Sequence, residues 1–414
     1  MKKKVRILSP VGYFDSLQAA IDAKADAVYF GIKNLNMRSL SSNNFELDDL
    51  KKVSEFCKKN NIESYLTLNS IIYNDEIILM KKIVDEAKKS GIDAIIAHDF
   101  SVVEYVRSKG LRVHISTQAN ISNIDAVRFY SKFADVVVLA RELSLEQIKE
   151  IADVIEKENI KGPSNKLIEI ELFVHGALCM AISGKCYLSL HQYNKSANRG
   201  ECLQACRRKY IVTEEETNKE ILLENSHIMS PKDLCTIANL DKLIDAGASL
   251  LKIEGRARKP DYVFTTTKCY KEALESIYSN KYTKEEIERW LNELSRVYNR
   301  DFWHGGYYLN NQSDIWCSSH GSQSQVKKTY IGKATNYFSQ INVAEFLLHS
   351  HDLKIDDEII IIGPTTGIIK TKVESLRTDK DVSIAYKGEL IAIKINQKIR
   401  KNDKLYKLEK NEPN

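Results

Sequence analysis

The strongest constraint on the fold is a pattern that repeats eight times in the first 255 residues: a short apolar, β-branched run, a polar tip and a helix-like segment. Continuous apolar runs of this length are typical of parallel strands that are buried on both faces. Eight strands alternating with helices is the number found in a (β/α)8 barrel. We therefore predict an α/β fold with a TIM-like (β/α)8 barrel rather than an open doubly wound sheet. The predicted strands are residues 5–8, 27–31, 64–69, 94–99, 112–117, 135–140, 168–176 and 250–255.

The connection after the seventh predicted strand is unusually long. It runs from His175 to about residue 249, whereas such connections usually have about 2–6 residues. Since the site of such a barrel lies where strands end and βα loops begin, we predict a cysteine-rich insertion over the barrel mouth. Five of the eight cysteines lie on it: Cys179, Cys186, Cys202, Cys206 and Cys235.

The pattern changes after residue 255. We predict a catalytic barrel domain over residues 1–300, with the insertion at about 176–249, and a Gly/Ser/Asn-rich linker over 301–325. Short β-branched runs alternating with turns then predict a small β-barrel domain over 326–414. Residues 391–410 carry seven Lys or Arg against two acids. This basic edge is compatible with contacts to tRNA phosphates, although the domain could equally serve dimerisation, and a solvated strand face explains the charges equally well.

The chain shows no signal-peptide apolar region and no run of about 18 apolar residues that could span a membrane. We therefore expect a cytoplasmic protein with no membrane partner. Thiols stay reduced in that compartment, so the cysteines are interpreted as ligands, catalysts or core residues and not as disulfides. The net charge of +5 is too modest to establish a nucleic-acid partner.

Polar side chains follow several predicted strands. Loop solubility or helix capping explains any one of them about equally well. Their convergence at one face of a barrel favours a site. They are Ser116, Thr117, Gln118, Arg141, Glu142, His175, Glu254 and Arg256.

The spacing of the clustered thiols narrows the kinds of metal centre. Only Cys202 and Cys206 form a close pair, whereas zinc sites usually show two such pairs. An iron–sulfur cluster tolerates ligands from dispersed segments. Radical chemistry with S-adenosylmethionine would need a third cysteine soon after the pair, and residue 209 is lysine. The alternative is that these cysteines are small buried core residues.

At these residues the sequence resembles the peptidase U32 family. The motifs are "ELFVHGALCMAISGKCYLS" and "NRGECLQACRRKY", joined by "ISTQ", "LAREL", "SPKDLC" and "KIEGR" in the same order along nearly the whole chain. The segments "GGYYL", "VKKTYIGKATNYF", "VAEFLL" and "DEIIIIGPTTG" are similar to the branch of the family that acts in prephenate-dependent tRNA hydroxylation.

The resemblance implies a tRNA modification enzyme that forms 5-hydroxyuridine at the wobble position, with a [4Fe-4S] cluster and prephenate as co-substrate. It also implies that tRNA is a partner, and a paralogous U32 protein or a second copy could be another. The implied cluster ligands are Cys179, Cys186, Cys202 and Cys235, with Cys206 as the alternative to Cys202.

Roles for the strand-end residues follow from this chemistry. Arg141 and Arg256, and with them Gln118, are candidates to bind prephenate, because guanidinium groups match carboxylates bidentately. His175 and Glu142 are candidates to transfer protons, although Arg141 and Glu142 could equally form a structural ion pair.

Two rival functions stay open. The first is an endopeptidase, as the family's name states, for which Cys179 and His175 would be a conceivable nucleophile and base. The sequence contains neither HExxH nor GxSxG. The second is a non-catalytic, cluster-bearing RNA-binding partner of a hydroxylase.

Overall fold

Eight parallel strands form a closed barrel in the computed structural model, which describes residues 4–211, 215–217, 229–310, 315–317 and 321–411. Strand β9 pairs with both β7 and β1 and so closes the sheet. All eight predicted strands are confirmed; they are β1–β7 and β9. The strands in this part of the chain are β1 (Arg6–Pro10), β2 (Ala27–Phe30), β3 (Glu63–Leu68), β4 (Ala94–Ala97), β5 (Arg112–Ile115), β6 (Val136–Val138), β7 (Glu169–Ala177), β8 (Asp233–Cys235) and β9 (Leu250–Ile253).

Helices surround the barrel because their apolar residues recur on one face. In the segment Leu145–Lys157, for example, Ile148, Ile151 and Ile155 are buried, and Ser144 caps the first turn in a capping box with Gln147. The helices are α1 (Phe14–Asp22), α2 (Leu50–Lys59), α3 (Ile77–Ser90), α4 (Phe100–Ser108), α5 (Ile124–Tyr130), α6 (Leu145–Lys157), α7 (Leu188–Tyr193), α8 (Leu240–Asp245), α9 (Pro260–Tyr278) and α10 (Lys284–Ser295).

Alternate residues of the barrel strands belong to two different cores. Ile7, Val28 and Leu66 pack in the large core shared with the helices. Their neighbours Leu8 and Tyr65 belong to a small separate cluster that fills the barrel interior. This alternation follows from the period of two of a strand. The runs are continuously apolar because both faces are buried.

The C-terminal residues form the predicted small β-domain, built on an antiparallel sheet with its own core. Its order is β15-β14-β18-β11-β12-β17, and β13 pairs with β16. Strands β15 and β17 are the two edges of this sheet. They do not pair with each other among the described residues, so the described sheet does not close into a barrel. The strands of this domain are β11 (Val326–Phe338), β12 (Val343–Leu348), β13 (Leu353–Lys354), β14 (Glu358–Gly363), β15 (Gly367–Lys372), β16 (Ile384–Ala385), β17 (Leu390–Lys394) and β18 (Lys404–Lys410), and β10 (Phe302–His304) precedes them and belongs to the sheet of the barrel.

Part of the predicted linker is regular structure. Strand β10 pairs in parallel with β8, and β8 pairs antiparallel with the end of β7. Trp316 also forms a bridge with Pro231. The Gly- and Ser-rich composition hid these pairings, because their partners lie far away in sequence. The segment 301–325 therefore packs on the insertion in part and does more than connect two domains.

The β-domain contacts the barrel on its α1, α9 and α10 side. The ammonium of Lys328 lies 2.6 Å from the carboxylate of Asp261, and Arg296 lies 2.6 Å from Glu358. Strand β15 also packs against α1 and α9. No helix in the described part of the chain has both the length and the apolar character needed to cross a membrane.

The amino-terminal end of the barrel holds a network of ion pairs around Glu63. Its carboxylate accepts hydrogen bonds from Tyr65, at 2.7 Å, and Arg112, at 2.7 Å, and pairs with Arg6. Burial would raise the pKa of Glu63, but Tyr65, Arg112 and Arg6 outweigh it and lower the pKa to about 2. The stabilisation from Glu63 is therefore complete above its unfolded pKa of about 4.5 and is lost as pH falls towards 2.

We predict that Glu63→Gln flattens the acid side of the stability curve. The free energy of unfolding should fall less between pH 4.5 and 2.5 in this variant than in the parent, by on the order of 2 kcal/mol. Chemical denaturation at a series of pH values measures the effect. The control is Asp153→Asn, which removes an exposed pair with Lys149 and should leave the curve unchanged. Parallel curves for the parent and Glu63→Gln would contradict the prediction.

Candidate functional site

A cavity of about 140 Å³ lies at the carboxyl ends of the barrel strands. This volume is below the roughly 300–1,000 Å³ of most ligand pockets and suits a small ligand. The insertion after β7 forms part of its wall, as predicted. The lining includes Tyr29, Thr67, Asn69, Ser116, Gln118, Arg141, Phe173 and Lys252 from the barrel, and Cys179, Ser183, Cys202, Cys206 and Arg207 from the insertion.

The lining of this cavity is strongly cationic. Among the described residues, Glu254 contributes its one carboxylate, which pairs with Arg38 at 3.0 Å. Burial would raise the pKa of Glu254, but Arg38 and Arg258 outweigh this effect and the pKa is lowered. The carboxylate is therefore ionised. A clear excess of positive charge remains, and this favours an anionic ligand. The cations are Arg38, Arg141, Arg207, Lys252, Arg256 and Arg300.

Arg141 keeps hydrogen-bonding capacity for a ligand. Its Nη1 donates to the carbonyl of Ala177 at 3.2 Å, and its guanidinium lies 3.9 Å from the centroid of the Phe173 ring. Its Nε is buried and has no hydrogen-bond partner among the described residues. A buried donor without a partner is costly unless a ligand or water completes it.

Arg256 is held more firmly, also at the cavity. Its Nη1 donates to Thr67 Oγ1 at 2.6 Å and to Asn36 Oδ1 at 3.1 Å. Burial lowers the pKa of Arg256 to about 10, so it stays charged at neutral pH. A Cβ on Gly31 would lie 2.5 Å from this Nη1, so a larger residue there would displace the guanidinium from its present position.

Gln118 lines the same cavity in a small polar network. Its Oε1 accepts a hydrogen bond from the hydroxyl of Ser116 and faces Asn69 Nδ2 at 3.4 Å. The structure therefore brings together Gln118, Arg141 and Arg256, the three residues predicted to bind substrate. Their role in binding stays a prediction.

His175 and Glu142 do not line this cavity. A β-bulge between Phe173 and His175 turns the imidazole towards α9, where Nδ1 lies 3.4 Å from the hydroxyl of Tyr270. Burial lowers the pKa of His175 to about 3, so the ring is neutral. Glu142 is exposed and lines a small rim cavity of about 50 Å³ that adjoins the main one, since Arg141 and Cys179 line both. The proton-transfer roles predicted for both residues therefore have no support from this geometry.

Three thiols, those of Cys179, Cys202 and Cys206, line the cavity, and Cys186 lies on the same insertion. Burial raises the pKa of Cys206, Arg207 opposes the rise, and the neighbouring thiols of Cys179, Cys202 and Cys186 add to it. In the described part of the chain, no three His, Cys, Asp or Glu side chains are close enough to hold a single metal ion. A four-iron cluster is larger than one ion and is held by dispersed thiolates. These sulfur donors are the ligand type that such a cluster takes.

Cys235 does not line the cavity. It is buried on β8, where the hydroxyl of Tyr270 lies 3.9 Å from its Sγ. Burial raises the pKa of Cys235 to about 11, with a further rise from Asp233 and none from another described cysteine. The structure thus places Cys206, and not Cys235, with the other three. The ligand role of Cys235 stays a prediction.

Sequence reasoning missed several charged residues of the cavity. Lys252 carried a signal, because it interrupts the apolar run "LLKIEG", and Glu171 interrupts the run of β7 in the same way. A charge in a buried strand needs a partner, and these two side chains pair at 2.6 Å. Arg38 and Arg300 lie on connections, where an arginine is ordinary and gives no signal, whereas Arg207 stands beside Cys206 and was expected to offset thiolate charge.

A larger cavity, about 580 Å³, lies at the opposite end of the barrel. We do not place the site there, because its charged groups neutralise one another: Arg6 pairs with Glu63 and Glu169, and Arg112 pairs with Glu63. In (β/α)8 barrels this end contributes to stability, and function lies at the carboxyl ends of the strands.

Comparison with known proteins agrees with the fold and the motifs. Residues 12–318 match the model of peptidase family U32. The chain is 51% identical over 407 residues to a collagenase of Porphyromonas gingivalis, covering 98% of each protein. It is 41% identical to an uncharacterized protease of Methanocaldococcus jannaschii, covering 99% of each.

A third relative is tRNA hydroxylation protein P1 of Bacillus subtilis, which is 31% identical over 87% of this chain and 84% of that one. The expected closer likeness to the tRNA-hydroxylation branch is therefore not reflected in these identities. The family-level resemblance is confirmed: the chain belongs to the peptidase U32 family.

Proposed function

We propose that this protein is a tRNA modification enzyme that forms 5-hydroxyuridine at the wobble position, with prephenate as co-substrate and a [4Fe-4S] cluster as cofactor. The observation that carries the proposal is the cavity at the barrel mouth, which joins six cationic side chains to three thiols. A relative named for tRNA hydroxylation supports the same chemistry.

Prephenate carries two carboxylates, and the cavity offers two guanidinium groups, one after β6 and one after β9. Arg141 makes no ion pair with a described carboxylate and keeps a free Nε. Arg256 is oriented by Thr67 and Asn36. Charge-assisted hydrogen bonds from such groups are stronger than neutral ones, and more so away from water. These two residues would bind and orient the acid, with Gln118 beside them.

Cys179, Cys186, Cys202 and Cys206 would hold the cluster. When bound, the cluster supplies one-electron transfer. Arg207 lies beside Cys206 and donates to the carbonyl of Pro231 at 2.7 Å, which fixes its charge near the thiols. A fixed cation favours the thiolate forms that a metal centre needs.

The rim of the insertion offers contacts for single-stranded RNA. Tyr187 is 77% exposed, and Tyr193 is exposed with the guanidinium of Arg208 5.1 Å from its ring centroid. Splayed bases stack on exposed aromatic rings, and arginines beside them bind phosphate. We propose that the basic edge at 391–410 also contacts tRNA phosphates. A second copy, or a paralogous U32 protein, is the alternative partner for the β-domain.

The cluster ligands are tested by anaerobic purification with iron and sulfide analysis and EPR after reduction. We expect stoichiometric iron and sulfide in the parent protein, and their loss in single Ala variants of Cys179, Cys186, Cys202 and Cys206. Cys235→Ala should retain the cluster because its thiol is buried beside Tyr270 and does not line the cavity. Cys57→Ala, at a buried cysteine on α2, controls for a small core cavity. If Cys235→Ala loses the cluster and Cys206→Ala retains it, the ligands are Cys179, Cys186, Cys202 and Cys235, as the resemblance implies.

The substrate role of Arg141 is tested by reconstituting hydroxylation with purified protein, prephenate, an electron donor and unmodified tRNA. Arg141→Gln should lower kcat/KM for prephenate by about 10- to 100-fold, the value of one charge-assisted hydrogen bond. Arg128→Gln, at an exposed arginine of α5 paired with Glu158, should have no effect. If the purified parent protein produces no 5-hydroxyuridine, the role of non-catalytic partner replaces the proposed activity.

A second candidate is an endopeptidase, favoured by the 51% identity to a collagenase. A thiol peptidase needs a base within reach of its nucleophile. The described geometry offers none at Cys179, since His175 faces Tyr270 and burial lowers its pKa to about 3, which makes it a weak base. We expect purified protein to leave fluorescent gelatin and collagen uncleaved, with and without added divalent metal ions. Cleavage that disappears in Cys179→Ser and persists in Cys57→Ala would establish the peptidase instead.

A further inference from the structure

A buried lysine lies in the barrel at the bottom of the cationic cavity. Lys252 is only 4% exposed but lines the cavity. Its ammonium is 4.6 Å from the ring centroid of Tyr29 and 5.2 Å from that of Phe173, two other lining residues. Lysine is seldom buried without a specific reason, so the interior position needs an explanation.

The surroundings of Lys252 form a chain of three titratable groups. Its Nζ donates to Oε1 of Glu171 at 2.6 Å. The other oxygen of Glu171, Oε2, lies 3.8 Å from Nδ1 of His114. Both side chains are fully buried, and neither atom has a hydrogen-bond partner in the described part of the chain. An ion pair alone does not explain why two polar atoms are left facing each other without a partner.

The surroundings of Lys252 act in two directions, because the ion pair that opposes a lower pKa at Lys252 also lowers the pKa of Glu171 to about 2. Burial lowers the pKa of Lys252, Glu171 opposes this, and Arg256 and Arg141 add to the lowering. Those arginines are the two proposed to bind a carboxylate. An amine, a proton acceptor and carboxylate-binding groups therefore surround one small cavity.

We propose that Lys252 is a nucleophile that condenses with the ketone of a 2-oxo acid bound by Arg141 and Arg256. The proposal deepens the proposed function and rests on it for the identity of the acid, since prephenate contains a 2-oxo acid side chain. In a 2-oxo acid the ketone is next to the carboxylate. Guanidinium groups that hold the carboxylate therefore bring the ketone to the amine between them.

The condensation needs no oxidant or reductant. Lys252 gives a proton to Glu171, and the free amine then attacks the ketone carbon, forming a C–N bond as the carbonyl π bond breaks. The former carbonyl oxygen takes one proton from the attacking nitrogen and a second from Glu171, and it leaves as water, so that a protonated imine remains on Lys252. His114 stabilises Glu171 during these transfers as a positioning residue. The imine withdraws electrons from the adjacent bonds of the acid and so activates them.

The test is reductive trapping on the full chain. Protein is incubated with prephenate, or with phenylpyruvate as a simpler 2-oxo acid, in the presence of sodium cyanoborohydride, and the adduct is mapped by peptide mass spectrometry. We expect a stable secondary amine on Lys252, its loss in Lys252→Arg, and slower labelling in Glu171→Gln. Lys328→Arg, at a largely buried lysine paired with Asp261 outside the cavity, should label as the parent protein does.

Calorimetric titration of the same acids separates the two ways in which the test can fail. Binding without an adduct on Lys252 overturns the nucleophile and leaves the proposed function intact. Neither binding nor an adduct overturns both the nucleophile and the prephenate part of the proposed function. Because the labelled site is mapped in the parent protein, the result stands even if a variant at Lys252 fails to fold.

Discussion

Closure of the barrel by β9, which pairs with β7 on one side and β1 on the other, is the constraint on which the rest of the structure depends. The ion pair between Lys252 of β9 and Glu171 of β7 spans this seam inside the barrel. Removing one member of such a buried pair costs about 3–5 kcal/mol, because the other charge stays buried alone. The seam is therefore where the stability of the barrel and the charge of the cavity meet.

The same closure explains why the cysteine-rich segment covers the mouth. The insertion leaves the barrel at the end of β7 and returns at β9, the two strands of the seam. Its path must then pass over the carboxyl ends of the strands. This places Cys179 near both Arg141 and Arg207, so that thiols and guanidinium groups from distant parts of the chain share one cavity.

The strands and half of the site could be predicted because they follow local rules. Buried parallel strands have continuous apolar runs, and residues just after them lie at one rim of the barrel. These two rules were sufficient to place Gln118, Arg141 and Arg256 at the cavity. His175 could not be placed, because a bulge reverses its side and a bulge has no signature in these residues. Cys235 lies on β8, which pairs with the end of β7 and with β10. These are contacts between distant segments, and spacing along the chain does not predict them.

The charge of the cavity also bears on why relatives in one family carry different names. Overall identity measures common descent, whereas the substrate is selected by the site. A polypeptide is extended and its backbone is neutral, so it gains little from a cavity of about 140 Å³ lined by six cations. A small dianion fits the volume of the cavity and is attracted by its cations. Thiolates beside the same cations are stabilised by that charge as well. The high identity to a collagenase and the anion-binding geometry are thus compatible, because the fold is inherited as a whole while the chemistry depends on a few side chains at its mouth.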